Sequence, residues 1–287
     1  MINRMIRRLQ RSAAKSTTPT EIEYRCGNIN LALPVGHGLP LYQRRHPHYD
    51  RFLPHIAKYI PNGSAVIDVG ANCGDTVVAM AQINPTLNYL CVEPDHTFLA
   101  YFHRNLARLR ELTPSINVDA VQAIVGKAIY AASLSGDRGT KHAELDEHGQ
   151  RTTLLDDIYK MASRPPVSLL KSDVDGYDFD VIDSGASLIQ AQQPALFFEC
   201  QYFNLAQLQG FQATIERLVF EGYSHWTVFD NFGEVVIRDA SQSTINQLLE
   251  YVWQQNQGRS TRTIYYFDLL ACTPQHKGWV AQSVEEY

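Results

Sequence analysis

The sequence predicts an α/β fold built on an open, mostly parallel, twisted sheet with helices on both faces and an antiparallel C-terminal strand. Three observations carry that expectation. From Ser64 onward, strand-length apolar runs alternate with segments whose apolar residues recur every three or four positions, as repeated strand–helix units require. The runs at 65–69, 89–92, 167–170 and 195–198 are nearly continuous in apolar residues rather than alternating, which suits strands buried on both faces. The 287-residue chain is 45% hydrophobic and 19% charged, so it can build a sizeable core and is too poorly charged to stay disordered.

Residues 1–20 read as a basic flexible tail, because Arg4, Arg7, Arg8, Arg11 and Lys15 meet no acid and no secretory apolar segment accompanies them. Weak peripheral contact with an anionic membrane face, or a transit peptide, are the alternatives to simple solvation. Residues 21–62 read as a cap: Ile22, Tyr24, Ile29, Leu31 and Leu33 alternate around Cys26-Gly27-Asn28 as a hairpin, and Phe52, Leu53, Ile56 and Ile60 follow at helical spacing. Residues 63–287 form the main domain. Its first strand, 65–69, leads to a helix from Asp75 to Ile83, and its second, 89–92, to a helix that Asp95 caps and Phe98, Leu99, Phe102, Leu106 and Leu109 line. A third unit begins with 118–125, and an irregular charged segment covers 137–151. Strands at 167–170 and 195–198 flank a short helical pattern at Phe179, Val181 and Ile182. A helix through Ile215 and Leu218, a strand pair across Asp230-Asn231-Phe232-Gly233, a helix through Ile245 and Val252, and a strand at 263–269 complete the order.

The net charge of −5 hides an asymmetry: once the basic tail is set aside, 30 acids face 20 bases. So acidic a body is a poor surface for duplex nucleic acid, so no nucleic-acid partner is expected. No apolar stretch approaches the ~18 residues of a membrane span. Five scattered cysteines without a CxxC pair favour neither disulfides nor structural zinc, and a reducing, cytoplasmic setting is expected.

The segment Val66-Ile67-Asp68-Val69-Gly70-Ala71-Asn72-Cys73-Gly74-Asp75-Thr76 places a carboxylate inside an apolar strand, then a glycine turn opening a helix. Burying Asp68 requires a donor, and the free N–H groups of the helix start suit an anion, so a small amphoteric ligand matches both. It is not a P-loop, since three residues separate Gly70 from Gly74 and Asp75 stands where a cation is needed; Asn72 breaks the dinucleotide fingerprint GxGxxG. Glu93, ending the second strand before Pro94, stands near the offset at which an acid grips ribose hydroxyls.

These residues carry a resemblance. Asp68-Val69-Gly70-Ala71-Asn72-x-Gly74 with Val92-Glu93-Pro94 resembles motifs I and II of class I S-adenosylmethionine-dependent methyltransferases. Lys171-Ser172-Asp173-Val174-Asp175-Gly176-Tyr177-Asp178, followed by Gly185-Ala186 and Phe197-Phe198-Glu199, resembles the FkbM-type subfamily across about residues 22–200. Two departures are Asp178, where that family often has Glu, and Ser172, where an apolar residue is usual. The resemblance implies a Rossmann-like, seven-stranded methyltransferase sheet and O-methylation of a hydroxyl on a sugar, glycan or glycosylated small molecule, within polysaccharide or secondary-metabolite biosynthesis. It implies that Asp68, Gly70, Ala71, Asn72, Gly74, Thr76, Glu93 and Pro94 hold S-adenosyl-L-methionine, with adenine near Gln122 and Ala123.

Asp173, Asp175 and Glu199 fall at neighbouring strand ends and are the candidate catalytic residues, as general base or as ligands to a divalent cation such as Mg²⁺. An EF-hand is excluded, because glycine is fourth and Ser184 twelfth counting from Asp173. His46, His48 and His225 are weaker candidates, and Tyr202, Phe203, Trp226 and Phe229 an aromatic acceptor platform. The competing readings are an NAD-dependent nucleotide-sugar oxidoreductase or epimerase, and a degenerate methyltransferase fold that only binds.

Overall fold

The computed structural model describes residues 20–127, 131–136, 141–146, 148–162, 164–257 and 262–287. The basic tail through residue 19 lies outside the described residues. Fourteen strands are described: β1 Glu21–Cys26, β2 Ile29–Pro34, β3 Ala65–Val69, β4 Asn88–Val92, β5 Asn117–Val121, β6 Ile124–Val125, β7 Ala131–Ser135, β8 His142–Leu145, β9 Gln150–Thr153, β10 Val167–Ser172, β11 Ala195–Cys200, β12 His225–Asp230, β13 Val235–Ile237 and β14 Phe267–Cys272. Eight form the main sheet in the order β13-β12-β14-β11-β10-β3-β4-β5. The run from β11 to β5 is parallel, and β14 enters antiparallel between β11 and β12. The sheet has one strand more than the seven the resemblance implies, because the turn after Asp230 folds β13 back as an edge.

Alternate residues of the central strands feed two cores. Val66, Leu169, Ala195, Phe229 and Leu270 face the hairpin and the helices Phe52–Ile56, Asp75–Ile83, His96–Leu112 and Lys277–Glu285. Ile67, Leu170, Leu196, Phe198 and Leu269 face the helices Leu155–Lys160, Asp178–Ser184, Ala186–Gln192, Leu205–Phe220 and Gln242–Asn256. Helices thus cover both faces as expected. Asp95 caps its helix by accepting from Thr97 N at 2.9 Å and Phe98 N at 3.0 Å. No helix among the described residues is long and apolar enough to cross a membrane. Cys26, Cys73, Cys91, Cys200 and Cys272 are all free and buried.

Three expectations need correction. The third strand–helix unit does not close with a helix: after β5 the chain enters a small sheet, β6-β9-β7-β8, and β8 and the start of β9 fall within the segment expected to be irregular. Those strands are short and polar, as in Gln-Arg-Thr-Thr of β9, and pair through their backbones without an apolar alternation. The last strand starts at Phe267 rather than 263, because Thr263, Tyr265 and Tyr266 line a cavity instead. Helices Leu39–Arg45, Leu155–Lys160 and Lys277–Glu285 are too short or too mixed in composition to show a period.

The hairpin is tied to the main domain by Asn105, which is fully buried. Its Oδ1 accepts from Ala32 N at 2.7 Å, and its Nδ2 donates to Ala32 O at 3.0 Å and Cys73 O at 2.8 Å. Asn105→Ala should therefore strand buried backbone groups and lower stability by about 2–3 kcal/mol. Urea denaturation, with an unchanged m-value, checks this.

Candidate functional site

Strand order reverses at β3, whose neighbours are β4 on one side and β10 on the other. In such sheets, ligands bind outside the carboxyl ends at this reversal. Here the two loops that leave β3 and β10 almost touch. Gly70 has φ +78°, and a Cβ on it would stand 1.9 Å from the Asp173 carbonyl oxygen, so no other residue lets the loops approach this closely. Gly70 N and Ala71 N donate to Val92 O at 2.9 and 3.1 Å, which fixes the turn against β4. Gly74, at φ +80°, then starts the helix Asp75–Ile83 with the Phe102 ring where a side chain would go.

Beneath this turn lies an ion pair. Register sets Asp68 opposite Lys171, both almost fully buried. Lys171 Nζ is 2.9 Å from Asp68 Oδ1, within ion-pair range though off a hydrogen-bond line; it donates to Gly70 O at 2.9 Å and lies 3.6 Å from Asp173 Oδ2. Asp68 Oδ2 is buried without a hydrogen-bond partner. Burial works against the ammonium, but the carboxylates of Asp68, Asp173 and Asp75 outweigh it and hold Lys171 above its ordinary pKa. The sequence shows Lys171 within the family-like segment but gave it no role; its signal was a lysine at the end of an otherwise apolar strand.

Two cavities open from the reversal. One is a narrow slot with Pro94, Phe98, Ala123, Ile124 and Val125 as apolar walls and Glu93 at its side. The other is about 890 Å³, roofed by the cap through His37, Tyr42, His46, Tyr49 and Asp50, and floored by Glu199 and Asp268. Gly70, Asn72, Asp173 and Asp175 line both. Ala71 and Thr76 line the large cavity. Asp68 and Gly74 line neither: what Asp68 meets in its strand is the counter-charge of Lys171. Gln122 is exposed and donates to Pro94 O at 3.1 Å, at the rim of the slot rather than within its wall.

Glu93 accepts from Asn72 N and Asp95 N, both at 2.8 Å, one on each oxygen. Burial pushes its carboxyl up to about 7, against the pull of those two N–H groups. Glu199 is held well above the usual carboxylate range, by burial first and then by Asp173 and Asp175. Asp173 is half exposed. The two departures from the family pattern meet: Ser172 Oγ donates to Asp178 Oδ1 at 2.6 Å. Asp178 also accepts from Val174 N at 3.1 Å and Gly176 N at 3.4 Å, so it shapes the loop that carries Asp173 and Asp175. Burial raises the Asp178 carboxyl to about 7.

His46 lines the large cavity, stacked on Phe232 at 3.9 Å, whereas His48 turns to Glu234 and His225 to Asp239. His37, unnoticed in the sequence, stands 3.3 Å from Asn72 Oδ1. Tyr202 and Phe203 line the cavity; Trp226 and Phe229 belong to the two cores, which corrects their expected place in an acceptor platform. Among the described residues no three His, Cys, Asp or Glu side chains converge as metal ligands, Asp173, Asp175 and Glu199 included.

The family model of the methyltransferase FkbM domain matches residues 68–235, more than half of the chain. Among solved structures, the chain is similar to a putative O-methyltransferase from Klebsiella pneumoniae, at 11% identity and TM-score 0.46 over 81% of this chain and 86% of that one. It is similar to methyltransferase FkbM from Methylobacillus flagellatus KT, at 11% identity and TM-score 0.41 over 82% of this chain and 58% of that one. The third is the O-methyltransferase TomG from Streptomyces achromogenes, at 12% identity and TM-score 0.44 over 77% and 78%. No curated protein matches the chain.

Removing one member of the Asp68–Lys171 pair leaves the other charge buried alone. Lys171→Met should lower stability by ~3–5 kcal/mol, and the double variant Asp68→Leu/Lys171→Met should recover much of that loss. Denaturant midpoints of the parent, Lys171→Met and the double variant check the order, which fails if the double variant is the least stable.

Proposed function

This chain belongs to the FkbM methyltransferase family, and from that premise we propose that it transfers a methyl group from S-adenosylmethionine to a hydroxyl of a sugar, glycan or glycosylated small molecule. The observation that carries the reading is the meeting of a narrow apolar slot and a large polar cavity at Gly70, Asn72, Asp173 and Asp175. The slot suits an adenosyl group: its walls are apolar, and each Glu93 oxygen, holding one N–H, keeps a lone pair for a ribose hydroxyl. A dinucleotide fits worse, because its pyrophosphate would meet Asp75 at the helix start.

When bound, S-adenosylmethionine supplies an electrophilic methyl group. The chain's own part is alignment and removal of a proton from a weakly acidic alcohol. We assign the proton to Asp173, which borders both cavities and lies 3.6 Å from the Lys171 ammonium. Asp175, at φ +55° on the same loop, borders both cavities too and is placed to orient the acceptor. Glu93 and Pro94 hold the ribose side, Ala123 the ring, and Gln122 braces Pro94 from outside. Ala71, Asn72 and Thr76 face the amino-acid end, and Asp68 acts through Lys171 and Gly74 through the helix start. A Mg²⁺ ion is not assigned this task, since Asp173, Asp175 and Glu199 do not converge as ligands.

Because ribose hydroxyls donate to a carboxylate, they favour the ionised form of Glu93. S-adenosylhomocysteine should therefore bind more tightly as pH rises through about 7. Glu93→Gln should flatten that dependence and weaken binding by ~1–3 kcal/mol. Calorimetry across pH 6–8 (roughly one unit either side of neutral) checks both, and a parent protein that binds no S-adenosylhomocysteine would overturn the reading. Asp173→Asn should lower transfer of a labelled methyl group ~10²-fold while nearly keeping cofactor affinity. Undiminished transfer would remove Asp173 from the base role.

A further inference from the structure

The register of the sheet sets a row of carboxylates across its carboxyl edge. Ser172 pairs with Phe198, so Asp173 stands level with Glu199, and Glu199 pairs directly with Asp268 on β14. Glu199 and Asp268 lie on the same face of neighbouring strands, ~4.8 Å apart, where like charges oppose pairing. The next residue in the row, Phe229, offers no counter-charge. Among the described residues neither carboxylate has a hydrogen bond or an ion pair. Glu199 is only 6% exposed, it lines the cavity, and its Oε2 is buried without a partner. An unpartnered carboxylate so deeply buried is costly unless a ligand completes it.

The cavity wall says what that ligand is. Six acids line it, Asp50, Asp75, Asp173, Asp175, Glu199 and Asp268, against Arg45, Lys171 and Arg262, and Lys171 is already engaged with Asp68. Tyr49, Tyr266, Tyr202 and Trp253 line the same space, and aromatic faces attract cations. We propose that the acceptor is an amino-bearing alcohol, of the amino sugar class, whose ammonium group sits on Glu199 and Asp268. Its hydroxyl, on a neighbouring or next-neighbouring carbon, then faces Asp173, one strand away in the row. An ammonium has three N–H donors to share between two carboxylates. It also has no lone pair, so seating the amine in its charged form leaves the hydroxyl as the only nucleophile. This deepens the methyltransferase reading and rests on it.

The test is binding of D-glucosamine, D-glucose and N-acetyl-D-glucosamine to the full chain saturated with S-adenosylhomocysteine, followed by ligand-observed NMR at neutral pH. Glucosamine should bind about tenfold or more tightly than the two neutral sugars, the gain expected of one charge-assisted contact. Glu199→Gln and Asp268→Asn should each lose most of that preference and keep the affinity for S-adenosylhomocysteine. Each substitution keeps the shape of its side chain and breaks no hydrogen bond within the protein, so neither should lower the melting temperature, whereas a purely structural role would lower it. Equal binding of the three sugars, no binding of glucosamine, or a preference that survives both substitutions would overturn the proposal. So would EDTA-reversible Mg²⁺ binding that depends on the same two residues, which would make the pair a metal site. A parent that fails to bind S-adenosylhomocysteine at all would instead strike the underlying methyltransferase reading, so the two failures are separate.

Discussion

Because Lys171 carries its charge inside the sheet, the carboxyl edge is arranged around it. The ammonium meets Asp68 across the strand pair, the Gly70 carbonyl above, and the Asp173 carboxylate beyond. Those three contacts join β3, the turn that follows it and the loop after β10, which are the parts that face both cavities. A buried ion pair contributes little net stability against an apolar substitute, yet it tolerates no loss of one partner. Its value here is positional. The closeness of Gly70 to Asp173, which a single Cβ would abolish, holds only while something binds the two loops together.

The sequence disclosed the parts of this arrangement that depend on local pattern. Continuous apolar runs marked β3, β4, β10 and β11, and Asp95 marked the start of the helix it caps, because strand burial and N-capping are written in consecutive residues. The glycine turn and Glu93 were legible for the same reason. What was hidden depends on partners far apart in the chain. Lys171 reads as one polar residue in a strand until register places it opposite Asp68, and Asp268 gains meaning only when β14 enters antiparallel beside β11. The small sheet β6-β9-β7-β8 was hidden differently, since its short strands pair by backbone and leave no period to find.

The departures from the family pattern illustrate the same limit. Read separately, Ser172 and Asp178 are two irregularities. In space they are donor and acceptor of one short hydrogen bond, and Asp178 then takes two backbone N–H groups of the loop between them. A shorter acid at 178 reaches this bond because a hydroxyl, not an apolar group, stands at 172. The loop bearing Asp173 and Asp175 is thus built by a matched pair rather than weakened by two mismatches.

The five buried thiols have a consequence of another kind. They sit in the hairpin (Cys26), the glycine turn (Cys73), β4 (Cys91), β11 (Cys200) and β14 (Cys272), so they sample the cap and both halves of the sheet. Burial pushes every one of them up, Cys26 to about 11 and Cys272 to about 12, which leaves almost no thiolate in the closed protein. A thiol reagent can then react only when a given layer opens. The molecule therefore carries a set of native chemical clocks, four in the core under the hairpin and Cys200 in the core on the other face of the sheet, and together they resolve whether the cap lifts before the sheet or with it.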